Sequence, residues 1–211
     1  MYTFEIAYHT CQNDPLFAFV RHPNGAIDPI NGDEHPFGDS VLHLVPGSFN
    51  PIHDGHRAIY QRAAEIAGPT AHVCYEMSID RANKGTIESK IMEGRATQFN
   101  DEGPLIVSKH PLFYDKTGVL AAVRDIHIHI GIDTALRIVS MHSTVGTQGI
   151  RALFHVYPRR MNDKLWTIND LPGQLPINFV PEEPLNDALI GLSSTEIRKE
   201  MGIAEVGMTT Q

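Results

Sequence analysis

The sequence predicts an α/β protein: a doubly wound parallel sheet with helices on both faces and a small β extension at its N-terminus. Three observations carry this. From residue 41 onward, short apolar runs of strand length alternate with segments whose apolar residues recur every three or four positions, the pattern of strand–helix–strand units. The first such run leads through a turn-rich loop straight into a helix, at the edge where sheets of this kind bind ligands. Residues 1–40 lack that alternation and are dense in turn formers.

Within residues 1–40, "YTFEIAY" and "LFAFV" read as strands and "HPNGAIDPINGDEHPFGDS" as turn and linker, together a hairpin-like extension preceding a main domain over residues 41–211. "VLHLV" (41–45) is then a short apolar strand. "GHRAIYQRAAEIA" (55–67) is a helix with Ile59, Ala63 and Ile66 on one side, stopped by Gly68-Pro69. "AHVCYEM" (71–77) is a strand. Residues 88–102 form a helix with Ile91, Arg95 and Phe99 at four-residue intervals, weakened by Gly94. "PLIVS" (104–108) and the alternating "IHIHIGID" (126–133) are strands, "TALRIVSM" (134–141) a helix, "RALFHVYP" (151–158) and "INFVP" (177–181) strands, and "SSTEIRKEM" (193–201) a closing helix. No repeat or low-complexity tract interrupts them.

The bulk composition excludes some classes of partner. A formal net charge of −8 argues against broad nucleic-acid binding, which needs a basic surface. It leaves room for a small phosphorylated ligand, for which a helix N-terminus and a few cations suffice. No apolar run approaches the ~20 residues that span a membrane, so no membrane is expected as a partner. The N-terminus lacks the basic start and apolar stretch of a secretory signal. Cys11 and Cys74 have no metal-like spacing and read as reduced thiols of a cytoplasmic protein.

"PGSFNPIHDGH" (46–56) concentrates the chemistry. Gly47 permits a sharp turn and close backbone approach after the strand, and Pro51 stiffens the loop. His53 precedes Asp54-Gly55, and His56 falls in the first turn of the helix, whose free N–H groups and dipole favour an anion. Two imidazoles there add donors that would bind a phosphate and stabilise charge developing on it. Zinc chelation is the main rival, since His53 and His56 are three apart. A zinc site needs further ligands at familiar spacing, and none is found nearby, so no residue is assigned to a protein-bound metal. "GLSSTEIRK" (191–199) is a second, independent string. Ser193 and Glu196 form a capping box that fixes a helix start. Ser194 and Thr195 offer hydroxyls at that start, and Arg198 brings positive charge one turn in.

These strings resemble the two signatures of the nucleotidyltransferase superfamily, the HxGH and ISSTxIR motifs of adenylyl- and cytidylyltransferases with a Rossmann-like fold. Gly47, Phe49, Pro51, His53, Gly55 and His56 match the first. Leu192 stands for the usual isoleucine of the second. The resemblance implies that His53, His56 and Arg198 are catalytic. Gly47, Ser48, Phe49, Gly55, Ser193, Ser194 and Thr195 would bind the nucleotide, with Ser194, Thr195 and Arg198 on its β- and γ-phosphates.

"HIGIDTALRIV" (129–139) resembles the Gly-x-Asp segment of nicotinamide-mononucleotide adenylyltransferases. It places Gly131 and Asp133 at the nucleotide, with Asp133 holding a ribose hydroxyl or capping the following helix. The stretch over 75–99 is similar to cytidylyltransferase-like proteins. It has "RANKG" where they carry Asn-x-Asp-Lys-Pro, and there Lys84 and Arg95 are either acceptor-phosphate contacts or solvated charge. Lys116 is a weaker candidate of the same kind. His127 and His129 share one strand face and read as packed or hydrogen-bonded. Trp166 either stacks on a base or packs. Where adenylyltransferases carry an aromatic-rich segment, this chain has "RIVSMHSTVGTQG", which weakens any inference to a pyridine substrate.

The resemblance implies transfer of a nucleoside monophosphate, AMP from ATP in the leading reading, to a phosphorylated acceptor such as nicotinamide mononucleotide. That is a step of NAD biosynthesis, with Mg²⁺ carried by the substrate. Two alternatives remain: a cytidylyltransferase using CTP, and a non-catalytic nucleotide binder of the same fold. A homo-oligomer is compatible with all three.

Overall fold

A computed structural model describes residues 2–81, 85–145, 152–172 and 178–186, the last few residues of the helix ending at Val145 by backbone alone. In chain order the elements are α1 (Phe4–Asn13), β1 (Phe17–Arg21), β2 (Ile27–Asn31), β3 (Leu42–Pro46), α2 (Asp54–Ala67), β4 (His72–Ser78), β5 (Asp80–Arg81), β6 (Gly85–Thr86), α3 (Ser89–Ala96) and a 3₁₀ turn (Thr97–Phe99). They continue with β7 (Leu105–Ser108), α4 (Phe113–Val119), β8 (Ile126–Gly131), α5 (Ile132–Val145), β9 (Leu153–Tyr157), β10 (Arg159–Met161), β11 (Lys164–Trp166), a second 3₁₀ turn (Ile168–Asp170) and β12 (Phe179–Pro181). The closing helix expected over 193–201 lies outside the described residues.

The eight-stranded sheet runs β12-β9-β8-β3-β4-β7-β1-β2. The pairs from β12 across to β7 are parallel, and β1 joins β7, and β2 joins β1, antiparallel. The chain winds outward from β3 through β4 to β7, returns to β8 on the other side of β3, and winds outward again through β9 to β12. This is the doubly wound order, and its switch point falls between β3 and β8. Buried side chains of α1, α2 and α3 (Ala7, Ala63, Met92) fill one face, and those of α4 and α5 (Val119, Ala135, Ile138) the other.

The N-terminal segment departs from expectation at its start. "YTFEIAY" is not a strand but the first part of α1. Phe4, Ala7, Tyr8 and Cys11 are buried at the three- and four-residue spacing of a helix face. Thr3 caps it, its hydroxyl accepting from the Ile6 N–H at 3.3 Å. The alternation over residues 2–8 was too short a window to distinguish the two periods. "LFAFV" does form a strand, β1, which is buried throughout because β2 and β7 flank it. α3 ends at Ala96, two residues past Gly94, and the rest of the expected helix tightens into the 3₁₀ turn.

Beneath α2 the sheet carries a layer of imidazoles in two hydrogen-bonded tiers. In one, His43 Nδ1 lies 2.9 Å from His129 Nε2, and His129 Nδ1 lies 2.9 Å from the Tyr157 hydroxyl. In the other, His127 Nδ1 lies 2.9 Å from His155 Nε2, and His155 Nδ1 meets Glu182 Oε1 at 2.7 Å. The tiers stack, His129 on His155 at 4.4 Å and 6°. His127 and His129 are thus hydrogen-bonded packing residues. Trp166 packs against the core on the α4–α5 face, with the Lys164 ammonium 4.5 Å from its ring.

Candidate active site

The loop between β3 and α2 opens at the switch point, and its shape follows from close packing. The Gly47 N–H donates to the Glu76 carbonyl at 2.9 Å, tying the loop to β4. A Cβ at Gly47 would come within 2.8 Å of the Phe49 ring. Phe49 adopts φ 42°, an uncommon conformation for an aromatic residue, and is fully buried. Its ring meets His56, Tyr75 and Phe99 edge-on at 4.8, 5.4 and 5.0 Å. Phe49 therefore serves the site through its backbone and by supporting His56, not through a ring offered to a ligand. Gly47→Ala is expected to destabilise the protein by about 1–3 kcal/mol, as overpacked core substitutions do, because the neighbours of Phe49 leave its ring no room. A urea melt equal to wild type would contradict this packing.

His53 occupies the N-cap of α2 in extended conformation, and His56 the third position of its first turn. Their rings lie 3.8 Å apart, tilted by 30°. The His53 backbone N–H donates to His56 Nδ1 at 3.3 Å. Since that nitrogen accepts, the proton of the neutral ring sits on Nε2, leaving Nε2–H as the available donor. Burial first, then His53, Arg159 and Arg57, pushes the His56 pKa down to about 3. Burial and then Arg159 lower His53 to about 4, with Asp54 opposing. Both shifts favour neutral rings at physiological pH, each of which keeps one N–H to donate. His53 Nδ1 is buried with no hydrogen-bond partner among the described residues, a costly state for a polar atom. Gly55 is buried between the two histidines and Ser48 is exposed.

Across the switch point, Gly131 ends β8 and Asp133 lies within the first turn of α5, one residue past the helix start rather than at its cap. A Cβ at Gly131 would lie 2.7 Å from Asp133 Oδ1, so glycine lets that carboxylate sit against the strand end. Asp133 Oδ1 pairs with Arg159 Nη1 at 3.1 Å, and its Oδ2 lies 4.0 Å from Arg137. Arg159 escaped the reading of the sequence. Its place immediately after the C-terminal end of a parallel strand was the available signal. It brings positive charge to the histidine pair and adds to the lowering of both imidazole pKa values that burial leads.

Arg95, read from sequence as an acceptor contact or solvated charge, is buried and donates to the Ser48 carbonyl at 3.1 Å. Its guanidinium serves the loop backbone because α3 packs beneath that loop. Lys116 is buried against Glu76, Nζ to Oε2 2.5 Å, and the same carboxylate accepts from the Ser108 hydroxyl at 2.9 Å. Lys84, Ser193, Ser194, Thr195 and Arg198 lie outside the described residues. Among those described, no group of three or more His, Cys, Asp or Glu side chains is arranged to hold a metal ion, and no helix is long and apolar enough to cross a membrane. Cys11 and Cys74 are separate buried thiols, each pushed up to about 12 by burial.

No protein-family model matches the chain, and no curated relative does. Among the solved structures similar to it is Plasmodium falciparum nicotinic acid mononucleotide adenylyltransferase complexed with APC, at 14% identity over 76% of this chain and 83% of that one, with a TM-score of 0.47. No residue's role is carried over from a similarity of that size. The loop, the histidine pair and the Arg159–Asp133 pair, gathered at the switch point of a Rossmann-like sheet, stand on their own geometry.

Proposed function

We propose that the protein is a nucleotidyltransferase that moves a nucleoside monophosphate, AMP from ATP in the leading reading, onto a phosphorylated acceptor such as a mononucleotide. The observation that carries this is the neutral histidine pair at the N-terminus of α2. His56 is held as an Nε2–H donor, beside a His53 whose Nδ1 lacks a partner. A helix N-terminus with two imidazoles and a nearby arginine suits a phosphate undergoing displacement. The GSFNPIHDGH string adds its resemblance to the superfamily signature.

In this reading an oxygen of the acceptor phosphate attacks the α-phosphorus. The bond from that phosphorus to the oxygen bridging to the β-phosphate breaks, and pyrophosphate leaves with the electron pair. The protein supplies position and charge stabilisation rather than a nucleophile. His53 and His56 donate to α-phosphate and bridging oxygens. An incoming polyanion raises both imidazole pKa values, so the rings strengthen as donors when charge develops. Arg198 and the residues 193–195 beside it would hold the departing pyrophosphate. The Asp133 carboxylate across the switch point is engaged by Arg159, and Asp54 beside His53 by Arg57, which fits a Mg²⁺ ion carried by the phosphates rather than by the chain. Bound there, Mg²⁺ neutralises phosphate charge.

The test is pyrophosphate release from Mg²⁺ with ATP or CTP, each offered a panel of phosphorylated acceptors. Release with ATP and a mononucleotide is expected. Release with CTP alone would replace the adenylyl reading by a cytidylyl one, and release with neither would leave a nucleotide binder. Both motif histidines and Arg198 are present in the sequence, which favours the enzyme over the binder.

A further inference from the structure

We propose that Gln98 and Arg95 are positioning residues that set the conformation of the 48–52 loop and, through it, the presentation of His56. The consequence for catalysis rests on the nucleotidyl-transfer reading above.

Gln98 grips the loop on both sides of its bend. Its Nε2 donates to the Phe49 carbonyl at 3.1 Å, and its Oε1 accepts from the Ile52 N–H at 3.0 Å. The second amide hydrogen goes to the Arg95 carbonyl at 3.2 Å. This orientation of the amide is forced. Turned over, its oxygen would face two carbonyls and its NH₂ would face an N–H. Arg95 adds a third hold, at the Ser48 carbonyl. Three main-chain groups of a five-residue loop are thus held by side chains from α3 and the turn that follows it.

The loop needs an external hold. Phe49 sits at φ 42°, a conformation its own backbone preferences disfavour. Ile52, whose N–H Gln98 receives, directly precedes His53, whose N–H in turn fixes the tautomer of His56. Loss of the Gln98 amide would free the Phe49 carbonyl and the Ile52 N–H, shift the His53 N–H, and release His56 Nδ1 from its donor. The expected outcome is a loop that still folds but presents His56 poorly, a fault that falls on turnover more than on acceptor binding.

The experiment compares wild type with Gln98→Leu, which keeps volume and removes all three hydrogen bonds, and follows two readouts. In ligand-free protein, NMR titration of the His56 ring is expected to move upward by about one pH unit or more in Gln98→Leu. In the pyrophosphate assay, kcat is expected to fall ~10–100-fold, the scale of a small misplacement of reacting groups, with acceptor KM within about threefold. Packing alone would lower the urea midpoint without moving the His56 titration. If titration and kcat both match wild type, the proposal is overturned. If wild type releases no pyrophosphate yet the titration still moves in Gln98→Leu, the reaction reading falls and the loop clamp stands. Should Gln98→Leu not fold, Arg95→Lys and Arg95→Met carry the comparison. Lysine keeps a donor for the Ser48 carbonyl and is expected to retain most of the turnover that methionine loses, and equal rates would overturn the proposal.

Discussion

Replacing His56 with alanine is expected to slow pyrophosphate release at least ~100-fold, the scale of losing one preorganised donor to a developing oxyanion, with the fold retained. The ring's Nδ1 is committed to the His53 N–H and its faces to His53 and Phe49. In the proposed reaction the remaining Nε2–H would therefore enter already oriented. Such a donor acts on the transition state, so the loss belongs in kcat rather than in KM for the acceptor. His56→Asn, which restores an N–H donor on a shorter side chain, should fall between alanine and wild type. A circular dichroism spectrum and urea melt establish that the alanine variant is folded. A folded variant turning over within threefold of wild type would contradict the role given to His56.

The second large effect is on stability in acid. In an unfolded chain each histidine binds its proton near pH 6.5. In the folded protein burial, reinforced by neighbouring imidazoles, holds His43 down to about 4 and His129 to about 2. Burial also leads the fall of His56 to about 3. Each native pKa is depressed, so between pH 6.5 and about 4 the unfolded chain binds more protons. The stabilisation is full above pH 6.5 and is lost as pH falls through that window. Each imidazole that stays neutral costs up to ~1.4 kcal/mol per pH unit there. Three of them remove on the order of 6 kcal/mol between pH 7 and pH 5, a large share of a typical domain's stability. Other charges face the tiers: Arg62 and Glu65 from α2, Asp125 before β8, and Glu182 after β12. Glu182 holds His155 and lies 3.8 Å from Arg62, so an ion pair joins the imidazole layer to the helix that carries His53 and His56. Urea midpoints at pH 7, 6 and 5 should fall steadily, and His129→Leu should flatten the dependence. A midpoint unchanged from pH 7 to pH 5 would rule out depressed pKa values at His43, His129 and His56.

The sequence by itself determined the alternation that builds the parallel sheet, because strand and helix periods are local properties of five to fifteen residues. It also marked the β3–α2 loop as the candidate site, where glycine, proline and two histidines lie between a strand and a helix. It misread residues 2–8, where the window was too short and only the burial of Cys11 three residues after Tyr8 completes a helical face. It took Arg95 for a ligand contact or surface charge, since a charged side chain on a helix gives no local sign of which carbonyl it will reach. Only the tertiary structure decided that Arg95 and Gln98 hold the loop, that Arg159 and Asp133 pair beside the histidines, and that His43, His127, His129 and His155 form one layer. The four histidines and the Arg159–Asp133 pair come from different elements, some of them far apart in the chain, and meet because parallel pairing sets β3, β8 and β9 side by side in one register. The donors' protonation was likewise a tertiary outcome. Burial and neighbouring charge hold the two motif imidazoles well below the pKa of a free histidine.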